Sequence, residues 1–182
     1  CCEYLVSDDN VKTEGILRIS GQSTTIQKLK HMYDDEKIEA EHLNLQDLLK
    51  KTEESNRKFD VFNVGALLKS FLNELPESVI PRVCYPHLLR AQRMRSKRRK
   101  LAVMTAVLND TLLVPPPHRR CIHFLLCFLQ KISEHEKENK MSAHNLAVCF
   151  APTLLRTPDS RRTITIEVSA STLLNDLCTS LN

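Results

Sequence analysis

The chain has 182 residues, of which 42% are apolar, 26% charged and 5% aromatic, with a formal net charge of +4. That length accommodates one domain with a continuous core, and the composition is that of a soluble globular protein rather than a disordered or collagen-like one. No apolar run approaches the roughly 20 residues that span a bilayer, and the N-terminus lacks the basic-then-apolar pattern of a secretory signal.

Three glycines in the whole chain are too few for the many tight turns of an all-β fold, which points to helices. The first residue is Cys1 rather than Met, the start expected of a piece of a longer protein. Residues 1–7 read as the tail of a helix and 8–21 as irregular, with Gly15 and Gly21 bracketing Ile16-Leu17-Arg18-Ile19. Ile26 and Leu29 mark a helix over 23–33. Residues 34–60 are highly charged, contain one amphipathic stretch at 43–49, and read as a charged surface excursion. Val64, Leu67, Leu68, Phe71, Leu72 and Leu75 then form the apolar stripe of a helix that Pro76 ends.

Further helices are predicted over 81–92 (Tyr85, Leu88, Leu89) and 96–111 (Leu101, Met104, Val107, Leu108). A longer one follows Pro115-Pro116-Pro117, over 118–136. In it Ile122, Leu125, Leu129 and Ile132 are widened by Phe124 and Phe128 into the broad face of a central helix. Ser142 is a candidate N-cap for a short helix ending near Phe150, with Pro152 stopping it. Residues 163–168 alternate as a strand does, and 169–181 read as a last helix. The expected architecture is a single all-α domain over 1–182, a bundle of seven or eight helices.

Seven cysteines (Cys1, Cys2, Cys84, Cys121, Cys127, Cys149 and Cys178) form an odd set without paired spacing. Cys127 and Cys149 lie in apolar runs and read as buried free thiols of a reducing cytoplasm. Cys121, His123, Cys127, His135 and His144 lack zinc-type pairing, so no metal is expected. No cysteine sits at a glycine-rich turn or helix start that would lower its pKa and make it a nucleophile.

Two of the three glycines enclose a single cation, Arg18, which suggests a sharply shaped loop that could hold a guanidinium outward. An ordinary turn with an ordinary surface Arg has the same spacing. Lys69 and Asn73 are four residues apart and share the helix face opposite the leucine stripe, where they could also simply solvate it. Asn145 stands among apolar neighbours, and its amide could serve only to satisfy nearby backbone.

Taken together, these three regions match one family. Thr13-Glu14-Gly15-Ile16-Leu17-Arg18-Ile19-Ser20-Gly21 resembles the Gly-Ile-Phe-Arg-x-Ser-Gly signature of Rho-type GTPase-activating domains, the RhoGAP family. The block from Leu67-Leu68-Lys69 through Phe71-Leu72-Asn73-Glu74-Leu75-Pro76-Glu77 resembles its Leu-Leu-Lys-x-Phe-Leu-Arg-Glu-Leu-Pro-Glu-Pro-Leu block. Asn139-Lys140-Met141, followed by Asn145-Leu146-Ala147 and Phe150-Ala151-Pro152, resembles its Asn-Lys-Met-x-x-x-Asn-Leu-Ala-x-x-Phe-x-Pro block. The three occur in the family's order and cover the chain to about residue 156.

The resemblance implies an all-helical domain that engages a Rho- or Rac-type small GTPase in its GTP-bound form. Arg18 falls on the arginine finger, the catalytic residue supplied in trans. Lys69, Asn73, Asn145 and Lys140 fall on positions that bind the GTPase or support the finger loop. The domain is then not an enzyme itself but an activator, with no cofactor of its own; GTP and Mg²⁺ belong to the partner.

Asn73 departs from the family's Arg, which leaves open a catalytically weak or inactive module that binds GTP-loaded GTPase as an effector or scaffold. Ser78 for Pro and Leu17 for Phe are milder departures. Cys1–Val6 resembles the end of the family's first long helix, which implies an N-terminally incomplete domain.

The basic run Arg93, Arg95, Lys97, Arg98, Arg99 and Lys100 concentrates the positive charge and leaves the rest of the chain net negative. It is a solvated surface patch or a contact for an anionic membrane surface. No aromatic interrupts it, so nucleic acid is not expected. The expected location is cytoplasmic, with a peripheral membrane association open.

Overall fold

The computed structural model describes residues 1–34 and 57–156. Within them the chain forms eight α-helices and no strand: α1 (Cys2–Leu5), α2 (Ser23–Asp34), α3 (Arg57–Glu74), α4 (Tyr85–Gln92), α5 (Lys97–Asn109), α6 (Pro116–Ser133), α7 (Glu136–Asn139) and α8 (Ala143–Leu154). A 3-10 turn, Arg82–Cys84, leads into α4. The expected all-helical bundle is what forms. No helix of the described residues is long and apolar enough to cross a membrane.

Several boundaries differ from the sequence expectation for identifiable reasons. Residues 57–60, assigned to the charged excursion, are the first turn of α3; three of the four, Arg57, Lys58 and Asp60, are charged and so read as part of the charged stretch before them. α6 begins at Pro116 rather than His118, because proline at the first helical position removes no intrahelical hydrogen bond. α8 continues past Phe150 to Leu154 with Pro152 inside its last turn. The carbonyl that Pro152 leaves without an intrahelical donor belongs to Val148, which is on the exposed side of the helix. The remainder of the excursion, the strand at 163–168 and the helix at 169–181 lie outside the described residues.

The core is one cluster. Val64, Leu67, Leu68 and Leu72 of α3 are buried as their spacing predicts, in the same cluster as Ile122, Leu125, Phe128, Leu129 and Ile132 of α6 and Leu146 and Phe150 of α8. Two predicted core aromatics are not in it: Phe71 is 60% and Phe124 56% exposed, each at the edge of its helix's apolar face. The cysteines also differ. Cys84 is buried, whereas Cys127 and Cys149 are only half-buried free thiols.

α3 is the structural spine, packing on α1, α2 and α8, with α8 also against α6. Ser142 caps α8 as expected, its Oγ accepting from the Asn145 backbone N–H at 3.2 Å. The irregular segment between α1 and α2 is thereby laid across α3 and the start of α8.

Candidate functional site: a glycine-flanked loop held by α3 and the α7–α8 turn

The segment 13–19 is a series of tight turns. The Ile16 N–H donates to the Thr13 carbonyl at 3.1 Å, and the N–H groups of Arg18 and Ile19 both donate to the Gly15 carbonyl at 2.9 Å. Gly15 adopts φ +77°, a conformation that side chains resist, and a Cβ there would lie 2.6 Å from Ile19 Cδ1. The second glycine has a different role. Gly21 is required for space, since a Cβ would come within 2.7 Å of the Asn63 Cα on α3. Beside it, Asn63 Oδ1 accepts from the Gln22 N–H at 2.7 Å.

The residue that carries the second left-handed backbone is Leu17, at φ 65°. Such a conformation in a residue with a bulky side chain costs about 1–3 kcal/mol and persists only where the surroundings over-determine it. Here they do so twice. The Leu17 side chain is 1% exposed, sunk into the core where Gly65 of α3 leaves room. Its carbonyl accepts a 2.9 Å hydrogen bond from Lys69 Nζ. With Leu17 turned inward, Arg18 is turned out and is exposed. Among the described residues its guanidinium makes no ion pair or side-chain hydrogen bond, and it lies over Gly15.

The base of the loop is fixed by the turn between α7 and α8. The Gly15 N–H donates to the Asn139 carbonyl at 2.8 Å. Asn139 is fully buried, and its Nδ2 donates to the carbonyls of Val11 (2.9 Å) and Ile132 (2.8 Å) while its Oδ1 accepts from the Met141 N–H at 2.8 Å. Both its donors and its oxygen are used to tie three backbone segments together. Asn145 extends the same bracing, its Nδ2 donating to the Lys140 carbonyl at 3.2 Å. The sequence model of the RhoGAP domain matches residues 1–159.

The chain belongs to the RhoGAP domain family. Mouse Rho GTPase-activating protein 35 is 31% identical over 159 residues, covering 87% of this chain and 9% of that protein. Human N-chimaerin is 27% identical over 177 residues, covering 97% of this chain and 34% of that protein. The chain therefore spans a minor part of the length of these relatives. The crystal structure of human Rho GTPase activating protein 15 superposes with a TM-score of 0.82 at 24% identity, over 100% of this chain and 79% of that one, which supports the fold.

In this RhoGAP domain the predicted site residues take different places. Lys69 bonds the Leu17 carbonyl of the 13–19 loop, whereas Asn145 bonds the Lys140 carbonyl in the α7–α8 turn. Lys140 contributes its carbonyl; its Nζ folds back onto the Lys137 carbonyl at 2.7 Å, capping α7 from a left-handed backbone at φ 60°. Asn73 is exposed one turn beyond Lys69, and its own carbonyl accepts a 2.7 Å bond from Arg156 Nη1. That guanidinium, Asn139 and Asn63 are site-shaping groups that sequence reasoning did not single out. Asn139 was legible only as part of a motif, since nothing local marks an amide as buried.

Lys69 is half-buried, and burial lowers its ammonium pKa from the ordinary 10.5, with the nearby Cys149 acting in the opposite direction. Burial pushes the Cys149 thiol up, and the Lys69 and Arg18 cations partly offset this. The lowered Lys69 pKa means the unfolded chain holds this proton more tightly. Its contribution to stability therefore rises as pH increases through the window below 10.5, and the charged form is a cost to folding at neutral pH. Carbon-13 NMR of the Lys69 ε-methylene is expected to titrate with a midpoint below 10.5; a midpoint at or above that value would contradict the burial of the ammonium.

Ile19, which follows Arg18, is 41% exposed, and Val148, which precedes Cys149, is 49% exposed. The outer face of the site is thus one exposed cation with exposed apolar groups nearby, over a hydrogen-bonded base. Chemically, such a face can deliver a positive charge into a neighbouring molecule.

Proposed function

We propose that this RhoGAP domain stimulates GTP hydrolysis by a Rho- or Rac-type small GTPase in its GTP-bound form, with Arg18 as an arginine finger supplied in trans. During hydrolysis negative charge moves onto the leaving β–γ bridge oxygen and the transferring phosphoryl group. A guanidinium placed there stabilises that charge where it develops, and its planar fork engages more than one oxygen while staying charged in a water-excluded site. GTP, Mg²⁺ and the residue that orients water belong to the GTPase. The domain supplies one cation and the surface that positions it, and so is an activator rather than an enzyme.

The observation that carries this reading is the strained Leu17 backbone, held by Lys69 and by its own buried side chain, which turns Arg18 outward. Strain of this kind is stored where a neighbouring side chain must be presented in one direction. The test is single-turnover phosphate release from GTP-loaded Rho, Rac and related GTPases. Acceleration of at least one member is expected; binding without acceleration of any would overturn the reading.

That second outcome describes the alternative, a module that binds GTP-loaded GTPase as an effector or scaffold. The exposed amide of Asn73, where the family has Arg, favours it. Under that alternative Asn73→Arg would restore stimulation to an otherwise silent domain.

A further inference from the structure

The densest charge among the described residues lies away from the finger. α4 and α5 pack on each other and are joined by a tight turn, with the Met94 N–H bonded to the Ala91 carbonyl at 3.0 Å and the Lys100 N–H to the Ser96 carbonyl at 2.9 Å. The tip of this hairpin is Arg93-Met94-Arg95-Ser96-Lys97-Arg98-Arg99-Lys100. Arg93, Arg95, Lys97, Arg98 and Arg99 are exposed, and among the described residues none of these five is in an ion pair.

Two properties separate this tip from an ordinary solvated face. Soluble helix surfaces interleave carboxylates with cations, yet residues 85–109 contain seven Lys and Arg and no Asp or Glu. In addition, Lys97, Arg98, Arg99 and Lys100 crowd the first turn of α5, where the helix dipole is already positive and cations are disfavoured. The arrangement works against the helix unless an anionic surface lies opposite it.

The tip also carries an apolar group. Met94, 37% exposed, lies between the exposed Arg93 and Arg95 in the chain, a long flexible apolar side chain flanked by cations. Cations around an apolar tip match a headgroup layer over acyl chains. A nucleic acid would be better served by aromatic side chains for stacking, and residues 86–109 contain none.

We propose that the α4–α5 tip docks on an anionic phospholipid surface, with Arg93, Arg95, Lys97, Arg98 and Arg99 against the headgroups and Met94 entering the interface. The surface is separate from the finger. The start of α4 meets the far end of α8, where Tyr85 Oη donates to the Arg156 carbonyl at 3.3 Å, whereas the finger loop is braced near the α8 N-terminus. α8 has 12 residues, about 18 Å of helix.

Co-sedimentation with phosphatidylcholine vesicles, with and without phosphatidylserine, tests this. Binding is expected only with phosphatidylserine, weakening as salt is raised. The double variant Arg95→Gln/Arg98→Gln should bind about 30-fold more weakly, while Arg95→Lys/Arg98→Lys should retain binding, because a lipid surface reads charge. The Gln variant should melt no lower than the parent and stimulate GTP hydrolysis in solution equally well, so a loss of binding reports the surface and not unfolding. The proposal is overturned by equal binding to both vesicle types or by undiminished binding of the Gln variant. It is equally overturned if soluble phosphoserine at the same headgroup concentration, or a short DNA duplex, strips the domain from the vesicles.

Discussion

Replacing Arg18 by Ala is expected to lower the stimulated rate of GTP hydrolysis by about 10³–10⁵, the full worth of an arginine finger. The change should leave the domain folded. Arg18 is exposed, and among the described residues its side chain makes no ion pair or hydrogen bond, so truncation removes little that the native state relies on. A surface substitution of this kind shifts stability by no more than about 0.5 kcal/mol. Docking on the GTP-loaded partner should also survive, because the guanidinium is asked to act on charge that exists only in the transition state. Arg18→Lys keeps a positive charge but loses the fork, and should recover only a small part of the rate. Single-turnover phosphate release alongside a thermal melt checks all three statements. A variant as fast as the parent would remove Arg18 from the mechanism.

Asn139→Ala should show the opposite profile, a large stability loss with the finger still in place. The substitution leaves the Val11 and Ile132 carbonyls and the Met141 N–H without their buried partner. A buried polar group left unsatisfied costs about 1–3 kcal/mol, so the three together amount to about 3 kcal/mol or more. In a domain of this size that corresponds to a fall in Tm of about 6–12 °C. Asn139→Asp should be at least as damaging, since it keeps the acceptor for Met141 but turns an oxygen towards two carbonyls. Below the new transition, GTPase stimulation should fall far less than in Arg18→Ala. An unchanged melt would mean that water replaces the amide and that the loop base is not a dry anchor.

The contrast between these variants follows from what the site is made of. Arg18 is exposed and costs the fold nothing, whereas the residues beneath it are buried and shape one backbone conformation. Lys69 shows the link between the two. Its ammonium leaves water to reach the Leu17 carbonyl, and what that hydrogen bond holds is a peptide conformation that aims the next side chain outward.

Much of this was legible from residue order. The stripe of Val64, Leu67, Leu68 and Leu72 and the rhythm of Ile122, Leu125, Leu129 and Ile132 are periodic signals, and burial follows them. Arg18, Lys69 and Asn145 were marked by their motifs; in the structure Lys69 bonds the Leu17 carbonyl next to Arg18, and Asn145 bonds the Lys140 carbonyl in the α7–α8 turn. Backbone direction was not legible. The glycines suggested a sharply shaped loop, but its second left-handed residue is Leu17, while Gly21 serves close approach to α3. Local rules also misplaced both ends of helices that tertiary packing prolongs. α3 gains a first turn at 57–60 that three charged residues made look like the excursion, and α8 runs through Pro152 because the carbonyl it orphans lies on the open side. Buried amides such as Asn139 and Asn63 gave no signal of their own, since Asn is ordinarily a surface or turn residue.

The most direct test of a trans-acting finger is the affinity of the domain for a GDP-loaded Rho-type GTPase with and without aluminium fluoride, which mimics the phosphoryl group in flight. The parent domain should bind the fluoride complex far more tightly than the GDP form alone, and Arg18→Ala should lose that gain while the GTP-dependent contact persists. Equal fluoride-dependent affinity for the parent and the Ala variant would contradict the account.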